Sequence, residues 1–403
     1  MEFVPYVISW NLTARCNLRC KHCYIDASKP MPGELSTAEA LRVLHEIAEV
    51  NSETLLILTG GEPLMRPDLE ELVARASGLG MTVVLGTNAT HLTEDRARAL
   101  AEQGLAGVGV SLDSLLAWRH DDFRGVRGAW EATLRGIDAA RRAGIDVQIQ
   151  MTLTRENVRE LPAVVRFSQE TGARVVTVFF LVCTGRGQDV VDLTPEEYEH
   201  TLQWLVGVKH DGIMIRPRCA PTFRRVLAQK DPDSILLKSD AGRCMAAKNY
   251  CRITPDGKVT PCPYMPLVAG DMRKDSFGMI WEKAPLFESL RNPSLQGRCG
   301  DCEYQELCGG CRARAYAATG DPLAEDPWCT YVPGTDPSPK RQRGEREETT
   351  ITWTAQAEAR IEKVPFFVRR MVRSVVEAAA RREGLAKVTV EVLDKARRRV
   401  RSR

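Results

Sequence analysis

The sequence predicts an α/β fold, with a parallel sheet followed by a small cysteine-rich domain and a small helical C-terminal domain. Between residues 5 and about 205, short apolar segments alternate with amphipathic ones, which is typical of a parallel sheet covered by helices. Eight of the 13 cysteines then fall between residues 244 and 329. A separate apolar periodicity follows residue 350. We therefore predict domains at 1–215, 216–332 and 351–403, with a linker at 333–350 that is rich in Pro, Gly and charge.

Six strand–helix units are predicted in the first domain. The strands are Tyr6–Ser9, Thr54–Leu58, Thr82–Gly86, Gly107–Ser111, Asp146–Thr152 and Arg174–Phe180. The helices are Thr37–Val50, Asp68–Leu79, Glu94–Gln103, Ala129–Ala143, Glu160–Thr171 and Asp192–Val208. Capping residues such as Ser36 and Thr93 mark helix starts. Active sites on such sheets lie where the strands end.

The composition limits the class of protein. Hydrophobic residues make up 43% of the chain and charged residues 27%, with a net charge of +3, as in soluble globular proteins. No apolar run approaches the length of a membrane span, and the N-terminus does not resemble a signal peptide. A cytoplasmic protein is therefore expected. In that compartment, 13 cysteines favour metal or redox centres over disulfides.

Three cysteines follow the first predicted strand, with the spacing Cys16-x₃-Cys20-x₂-Cys23. Three thiolates leave a four-coordinate centre one ligand short. A structural zinc ion would take a fourth ligand, whereas a [4Fe–4S] cluster would keep one iron open. After the second strand comes the turn Gly60-Gly61-Glu62-Pro63, whose glycines and carboxylate suit close approach to a ligand that carries an amine.

This combination resembles the radical S-adenosylmethionine (SAM) enzymes. The resemblance implies a partial (β/α)6 TIM-like barrel and a [4Fe–4S] cluster on Cys16, Cys20 and Cys23. The open iron would bind SAM through its amino and carboxylate groups, and the turn Gly60–Pro63 would hold the amine. A zinc or disulfide loop is the alternative. Further cofactor-binding candidates follow the later strands, although each also fits a cap or a turn: Asn88, Ser111, Asp113, Thr152, Asn157 and Leu181.

The second cysteine group contains a predicted hairpin with a Pro-Asp-Gly turn between Cys251 and Cys262. Its spacing resembles the SPASM extension of radical SAM enzymes, in which two auxiliary [4Fe–4S] clusters bind. The resemblance implies Cys244, Cys251, Cys262 and Cys311 for one cluster and Cys299, Cys302, Cys308 and Cys329 for the other. The usual last interval is x₃, whereas Cys308 and Cys311 are separated by x₂. A pair of zinc sites is the alternative, and Cys183 and Cys219 are left over, Cys183 as an expected buried thiol.

Three arginines in glycine-rich segments are candidates for binding a substrate carboxylate, or are solvated loop residues: Arg124, Arg127 and Arg186. A guanidinium can hold a carboxylate through two parallel hydrogen bonds.

The tail from residue 350 carries 14 Lys/Arg against 6 Asp/Glu. We predict a helix over Trp353–Val364, a second from Pro365 to Ala379, and a short strand over Val388–Val390. The segments Val364-Pro365, Phe367-Val368-Arg369 and Val376-Glu377 resemble the C-terminal domain of the dark-operative protochlorophyllide reductase B subunit, which helps to cover a tetrapyrrole. A basic helical pair that binds an acidic partner is the alternative. Few stacking aromatics accompany the basic residues, so nucleic acid is not the expected partner.

The run from Cys308 to Ala317, with Glu325–Cys329, is similar to radical SAM enzymes that modify haem side chains. The first hypothesis is therefore radical modification, such as decarboxylation, of the acidic side chains of a haem-type tetrapyrrole. Reduced ferredoxin or flavodoxin would supply electrons. A peptide or protein maturase is the second hypothesis, and a non-catalytic iron–sulfur electron-transfer protein is the third.

Overall fold

The computed structural model describes residues 3–208, 212–238, 242–336, 351–362, 364, 369, 372–373, 376–377, 379–381 and 383–401. Within this part of the chain, no helix is long and apolar enough to cross a membrane.

Six parallel strands form in chain order, as predicted, and each lies within two residues of its predicted bounds. Neighbouring strands pair in sequence, so that all six carboxyl ends meet at one edge of the sheet. The strands are β1 (Val7–Asn11), β2 (Leu55–Thr59), β3 (Thr82–Thr87), β4 (Gly107–Ser111), β5 (Asp146–Leu153) and β6 (Val175–Phe180).

Helices cover one face of this sheet. Ser36 begins the first helix with a reciprocal capping box to Glu39, and Thr93 caps the third. The fourth helix was not predicted, because its sequence Ala-Trp-Arg-His-Asp-Asp-Phe-Arg has no apolar stripe. The helices are α1 (Thr37–Val50), α2 (Leu69–Gly78), α3 (Glu94–Glu102), α4 (Ala117–Arg124), α5 (Ala129–Arg142) and α6 (Leu161–Glu170).

Side chains alternate between the two faces of each strand. On β1, Ile8 and Trp10 belong to the apolar core under the helices. Ser9 and Asn11 therefore point to the opposite face, which we call the inner face. The inner face also carries Gln148 and other polar residues, so the helix layer excludes water while the inner face can bind a polar ligand.

The sheet continues beyond the six predicted units and has ten strands in total within the described residues. Strand β7 (Met214–Arg218) pairs in parallel with β6, so the predicted domain boundary at 215 falls inside a strand. The predicted hairpin forms as β8 (Tyr250–Ile253) and β9 (Lys258–Thr260). It joins the other edge of the sheet, where β8 pairs with β1, and a short β10 (Gly270–Asp271) completes the order.

The remaining helices of the main body are α7 (Pro195–Gly207), α8 (Phe223–Lys230), α9 (Phe277–Lys283), α10 (Pro285–Arg291), α11 (Gly297–Gly300) and α12 (Arg312–Thr319). Helix α9 packs against α1, and its fully buried Trp281 donates a hydrogen bond to the Phe3 carbonyl (2.8 Å). One apolar core therefore runs from the barrel strands into the cysteine-rich region.

The C-terminal region has its own small core, to which Ala357, Ile361 and Val388 belong. Thr352–Trp353 pairs in parallel with Lys387–Val388, and helices span Ala355–Ile361 and Val390–Arg401. The prediction of a helix at Trp353 was wrong, since this residue lies in a strand. The strand predicted over 388–390 ends at Val388, and a helix begins at Val390. Most of the second predicted helix, from Pro365 to Ala379, lies outside the described residues, namely 365–368, 370–371, 374–375 and 378.

Part of the predicted linker is packed against the cysteine-rich domain. The Asp336 carboxylate accepts hydrogen bonds from the Tyr304 hydroxyl (2.7 Å) and the Gln229 amide (2.9 Å). Residues 337–350 lie outside the described part of the chain.

Candidate active site

The turn after β2 lies directly against the start of the cysteine loop. The Gly61 N–H donates to the Thr13 carbonyl (2.7 Å) and the Glu62 N–H to the Arg15 carbonyl (2.8 Å). A Cβ added at Gly60 would lie 2.5 Å from the Thr13 carbonyl oxygen, and one at Gly61 would overlap the Arg15 carbonyl. Gly60 also has a φ of 150°. The glycines are therefore required by backbone packing against the cysteine loop.

The three cysteines of this loop act on one another electrostatically. Burial raises the pKa of the Cys16 thiol to about 12, with smaller contributions from Glu62, Cys20 and Cys23. Burial also raises the pKa of Cys20. The nearby Arg124 lowers this pKa, and Cys23 raises it. The three thiols therefore influence one another's ionisation within one loop.

Each of these sulfur atoms also receives a hydrogen-bond donor. Such N–H···S contacts stabilise a thiolate and tune a bound cluster. The donors are the Leu18 N–H to Cys16 (3.4 Å), the Arg124 guanidinium to Cys20 (3.6 Å) and the Ala27 N–H to Cys23 (3.3 Å).

Glu62 is fully buried and fastens the end of β2 to the end of β3. Its carboxylate accepts hydrogen bonds from the Thr87 hydroxyl (2.7 Å) and the Asn88 N–H (2.8 Å). Burial raises the pKa of the Glu62 carboxyl, and these donors act in the opposite direction. The Asn88 amide in turn donates to the Asn17 side chain in the cysteine loop (3.0 Å). Two of the predicted cofactor-binding residues thus hold the loop in place.

Asp113 and Arg124 form a buried ion pair next to Cys20. The Arg124 Nε donates to the Asp113 carboxylate (2.7 Å), which also accepts the Thr152 N–H (2.9 Å). Burial alone would lower the pKa of Arg124, but Asp113 and Cys20 raise it. Arg124 was proposed to bind a substrate carboxylate. Its guanidinium is instead enclosed between Asp113 and Cys20, where it positions the cysteine.

Arg186 also has a different role from the predicted one. Its Nε donates to the Cys20 carbonyl (2.9 Å), its Nη1 pairs with Asp26, and its own N–H donates to the Cys23 carbonyl (3.0 Å). The Arg186 guanidinium was expected to bind a substrate carboxylate, but it instead binds the cysteine loop. Arg127 is exposed on the loop after α4, and its proposed contact with substrate stays a prediction.

Asn157 joins the ends of β4 and β5. Its amide donates to the Asp113 carbonyl (3.0 Å) and the Thr152 carbonyl (2.8 Å), and its oxygen accepts the Thr154 N–H (2.8 Å). Ser111 and Thr152 lie at these strand ends, at the carboxyl edge where SAM contacts were predicted.

A second group of thiols lies beside the sheet and consists of Cys219, Cys244, Cys262 and Cys311. Burial raises the pKa of Cys219, and the nearby Cys311 raises it further. Burial raises the pKa of Cys262 as well, and the nearby Cys219, Cys311 and Cys244 raise it further. Burial raises the pKa of Cys311 to about 11, and Cys244 adds to the effect. These four thiols therefore lie within electrostatic range of one another.

Cys251 was predicted in this group, and the structure places it elsewhere. It pairs in register with Ile8 on β1 and is fully buried in the apolar core under the helices. After burial, the charged group that acts on its pKa is Arg291. The register of β8 thus turns Cys251 away from the inner face. The leftover Cys219, directly after β7, lies within electrostatic range of Cys244, Cys262 and Cys311.

The third group of thiols contains Cys299, Cys302, Cys308 and Cys329, and their assignment to one cluster stays a prediction. Burial raises the pKa of Cys308 to about 12, with contributions from Cys329 and Cys299. The nearby Cys299 raises the pKa of both Cys302 and Cys329. Cys308 and Cys311 therefore belong to different thiol groups, although only two residues separate them in the sequence.

Arg314 and Asp326 connect these groups to the sheet and were not singled out in the sequence. Their ion pair (3.4 Å) has side chains only 3% and 0% exposed. Arg314 donates to the carbonyls of Leu181 (3.3 Å) and Cys219 (3.1 Å). Asp326 accepts the Cys311 N–H (2.7 Å). In the sequence, an Arg-x-Arg pattern on a short helix does not indicate that one arginine links the thiol groups to the sheet.

Three family models match the chain. The radical SAM superfamily matches residues 10–168, and the iron–sulfur cluster-binding domain called SPASM matches 244–312. The model for the proto-chlorophyllide reductase 57 kD subunit matches residues 353–397. The fold and the three thiol groups therefore define an iron–sulfur enzyme that uses SAM.

Relatives match over most of their length. AdoMet-dependent heme synthase of Methanosarcina barkeri is 41% identical over 83% of this chain and 99% of that protein. Pre-heme d1 synthase of Dinoroseobacter shibae is 33% identical over 80% and 85%. Mycofactocin maturase MftC of Mycobacterium tuberculosis is 32% identical over 81% and 83%. The chain belongs to the radical SAM superfamily, in the SPASM-containing branch that includes the haem-modifying enzymes.

The fold is similar to that of Streptococcus suis SuiB bound to S-adenosylmethionine. The TM-score is 0.64 at 17% sequence identity, over 81% of this chain and 78% of that one. At this identity the likeness concerns the fold.

The family binds SAM and [4Fe–4S] clusters, and the residues present fit these groups. The cysteine loop offers three thiols, each with a hydrogen-bond donor. The raised thiol pKa values mean that cluster binding, which requires thiolates, releases protons.

Proposed function

We propose that this enzyme modifies the propionate side chains of an iron tetrapyrrole by oxidative decarboxylation, which would convert them to the vinyl groups of haem. The observation that carries the proposal is the 41% identity to an AdoMet-dependent heme synthase across 99% of that protein. Such a reaction removes one hydrogen atom and one electron from each propionate and releases carbon dioxide. A SAM-derived radical can take the hydrogen atom, and the electron requires an acceptor.

Cys16, Cys20 and Cys23 would hold the SAM-binding cluster. When bound there, the cluster would supply the electron for reductive cleavage of SAM. The residues around it have supporting roles. Arg124 and Arg186 fix the loop through Cys20, and Glu62 and Asn157 join the strand ends that face it. The contacts of Glu62 and Asn157 are buried, which would help to keep water away from the reacting groups.

We assign Cys219, Cys244, Cys262 and Cys311 as ligands of one auxiliary [4Fe–4S] cluster, and Cys299, Cys302, Cys308 and Cys329 as ligands of the other. Electrostatic contributions among the thiols of each group support this assignment. The auxiliary clusters could accept the electron that leaves the substrate.

Reduced ferredoxin or flavodoxin is the proposed electron donor, and the cytoplasm the proposed compartment. A reducing compartment suits a chain whose 13 cysteines are all free thiols.

The test is an anaerobic incubation of the cluster-loaded enzyme with SAM, dithionite and iron-coproporphyrin III. We expect 5′-deoxyadenosine together with a product that has lost carbon dioxide and two hydrogens from a propionate. Chromatography with mass spectrometry measures both. Sirohaem derivatives are assayed in parallel, since a pre-heme d1 synthase is also a relative.

A peptide maturase is the second candidate, because MftC is 32% identical over 81% of this chain. Under that alternative the enzyme would cleave SAM but leave every tetrapyrrole unchanged, and a precursor peptide would be required for product.

A further inference from the structure

Helix α4 presents apolar side chains to the outside, next to the cysteine loop. The Trp118 side chain is 64% exposed, and Leu116 and Val126, which flank the helix in the sequence, are exposed as well. The Arg119 guanidinium lies 4.9 Å from the centre of the Trp118 ring. Trp118 and Asp122 are four residues apart and therefore share one face of the helix. Exposed apolar side chains that lie this close together mark interaction sites more often than scattered ones do.

The cysteine loop adds positive charge beside this helix. All basic residues of the segment 15–29 are exposed, namely Arg15, Arg19, Lys21 and Lys29. Among the described residues, Lys21 pairs with Asp122 (2.6 Å), and the other three form no ion pair. The acidic residue of the segment, Asp26, is paired with Arg186. The outer surface of the loop therefore carries a net positive charge.

Helix α4 and the loop form one continuous surface because they pack directly together. The Arg19 N–H donates to the Arg124 carbonyl (3.0 Å), and the Lys21 N–H donates to the Phe123 carbonyl (2.9 Å). A Cβ added at Gly125 would lie 2.5 Å from the Arg19 carbonyl oxygen, so the glycine permits this contact. The resulting surface, here called the α4 surface, consists of Arg19, Lys21, Trp118, Asp122, Val126 and Arg127.

The α4 surface lies directly over the ligands proposed for the SAM-binding cluster. The Arg124 Nη1 lies 3.6 Å from the Cys20 sulfur. The Phe123 ring stacks on that of His22, with 4.3 Å between the ring centres, and His22 lies between Cys20 and Cys23 in the loop. A protein bound to the α4 surface would therefore be separated from these cysteines by one layer of side chains.

The third group of thiols, which also lies near the surface, is surrounded by the opposite charge. Cys302 is half-buried, and the residues around it include the exposed Asp301, Glu303 and Glu306. Like charges across an interface disfavour binding, whereas complementary charges accelerate it. An acidic protein would thus be repelled at Cys302 and attracted to the cysteine loop. The distribution of charge favours the α4 surface as the place where electrons enter from an acidic partner.

We propose that the α4 surface is the docking site of the electron donor, a small acidic one-electron carrier protein of the flavodoxin or ferredoxin type. In each transfer the carrier would lose one electron, and the cluster held by Cys16, Cys20 and Cys23 would gain it. The proposal rests on the proposed function, in which such a carrier supplies electrons, and it names the residues that the carrier contacts. An apolar centre with basic residues around it suits this partner, because electron-transfer complexes bury little surface and depend on electrostatic steering.

The test compares reduced flavodoxin with dithionite as the reductant of the cluster-loaded enzyme in the presence of SAM. 5′-Deoxyadenosine is measured at limiting flavodoxin, and each rate is divided by the rate of the same protein with dithionite, which needs no docking site. We expect Trp118→Ala to raise the KM for flavodoxin about 10-fold, as for a central aromatic residue of an interface. Trp118→Phe should recover most of the loss. Arg174→Gln is the control, since that arginine lies at the start of β6, at the opposite edge of the sheet, with its side chain 57% exposed.

Two charge variants should act in opposite directions. Arg19→Gln removes a cation and should raise the KM for flavodoxin about 2- to 5-fold, whereas Asp122→Asn removes an anion from the same surface and should lower it by a similar factor. Both differences should shrink at high ionic strength, because salt screens exposed charges. Calorimetric titration with oxidised flavodoxin should give the same order of affinities without electron transfer. Iron per chain is measured as well, because Arg19 precedes Cys20.

Two results would overturn the proposal while leaving the proposed function intact. One is Trp118→Ala and Arg19→Gln variants that accept electrons from flavodoxin as well as the wild type does. The other is rates that fall equally with flavodoxin and dithionite, which would mean that these side chains support the cysteine loop. If the wild type is active with dithionite but accepts no electrons from flavodoxin or ferredoxin, the proposed donor fails and this proposal fails with it, while dithionite still tests the modification of the tetrapyrrole.

Discussion

The assignment of Cys219 in place of Cys251 predicts opposite results for two cysteine variants. Three [4Fe–4S] clusters correspond to about 12 iron atoms per chain. Cys219→Ala should lower this number to about 8 by removing one auxiliary cluster. Cys251→Ala should keep about 12, because its sulfur packs in the apolar core under the helices.

The same variants differ in stability for a reason that the structure supplies. Cys251 is fully buried, so replacing it with Ala leaves a small cavity and should cost about 1 kcal/mol of the free energy of unfolding. Iron and sulfide are assayed after anaerobic reconstitution, and Mössbauer spectra count the clusters. Cys219→Ser and Cys251→Ser serve as second variants with nearly native volume. If Cys251 variants lose four irons while Cys219 variants keep them, the structural assignment is refuted and the motif-based one stands.

Three further predictions follow from contacts around the cysteine loop and from the C-terminal region. Gly61→Ala should lower the iron content of the SAM-binding cluster and cost about 2 kcal/mol or more of the free energy of unfolding, because its Cβ would overlap the loop backbone. Gly78→Ala is the control, since nothing lies within 4 Å of a Cβ at that position. Equal iron content in both variants would contradict the packing argument. Arg124→Met breaks a buried ion pair and should cost about 3–5 kcal/mol in chemical denaturation, whereas Asp122→Asn removes an exposed pair with 56% of its side chain accessible and should cost at most about 1 kcal/mol; similar costs would contradict the burial. Deletion of residues 351–403, which have their own core, should preserve SAM cleavage and weaken tetrapyrrole binding, and a loss of SAM cleavage would show that the tail supports the barrel.

Much of the barrel could be predicted because each strand is a compact apolar run and several helices begin at a polar cap, such as Ser36, Thr93 and Thr194. The six strands and the Ser36 capping box are local features, and local sequence determines them. Helix α4 was missed because it has no apolar stripe. Strand β7 was missed because Met-Ile-Arg-Pro-Arg reads as a turn-rich segment, and its pairing with β6 depends on tertiary contacts.

The chemistry of the site was predictable to the extent that it depends on spacing. The loop cysteines and the set Cys299, Cys302, Cys308 and Cys329 lie close together in sequence or fit a motif. The face on which a residue lies depends on register with a distant strand, so the position of Cys251 opposite Ile8 could not be read from its own neighbours.

The arginines show the same limit. Arg124 and Arg186 looked free because their sequence neighbours are glycines, but their partners Asp113 and Cys20 are remote in sequence. Arg216 and Arg218 gave no motif, and only their pairing with β6 places them on the inner face.

The most direct test of the whole account is a single anaerobic turnover experiment with the cluster-loaded enzyme, SAM, reductant and iron-coproporphyrin III. The account predicts 5′-deoxyadenosine and a vinyl-bearing iron porphyrin that increase together in the wild type, and neither product with a Cys20→Ala variant. SAM cleavage that leaves every propionate intact, or cleavage that persists without Cys20, would contradict it.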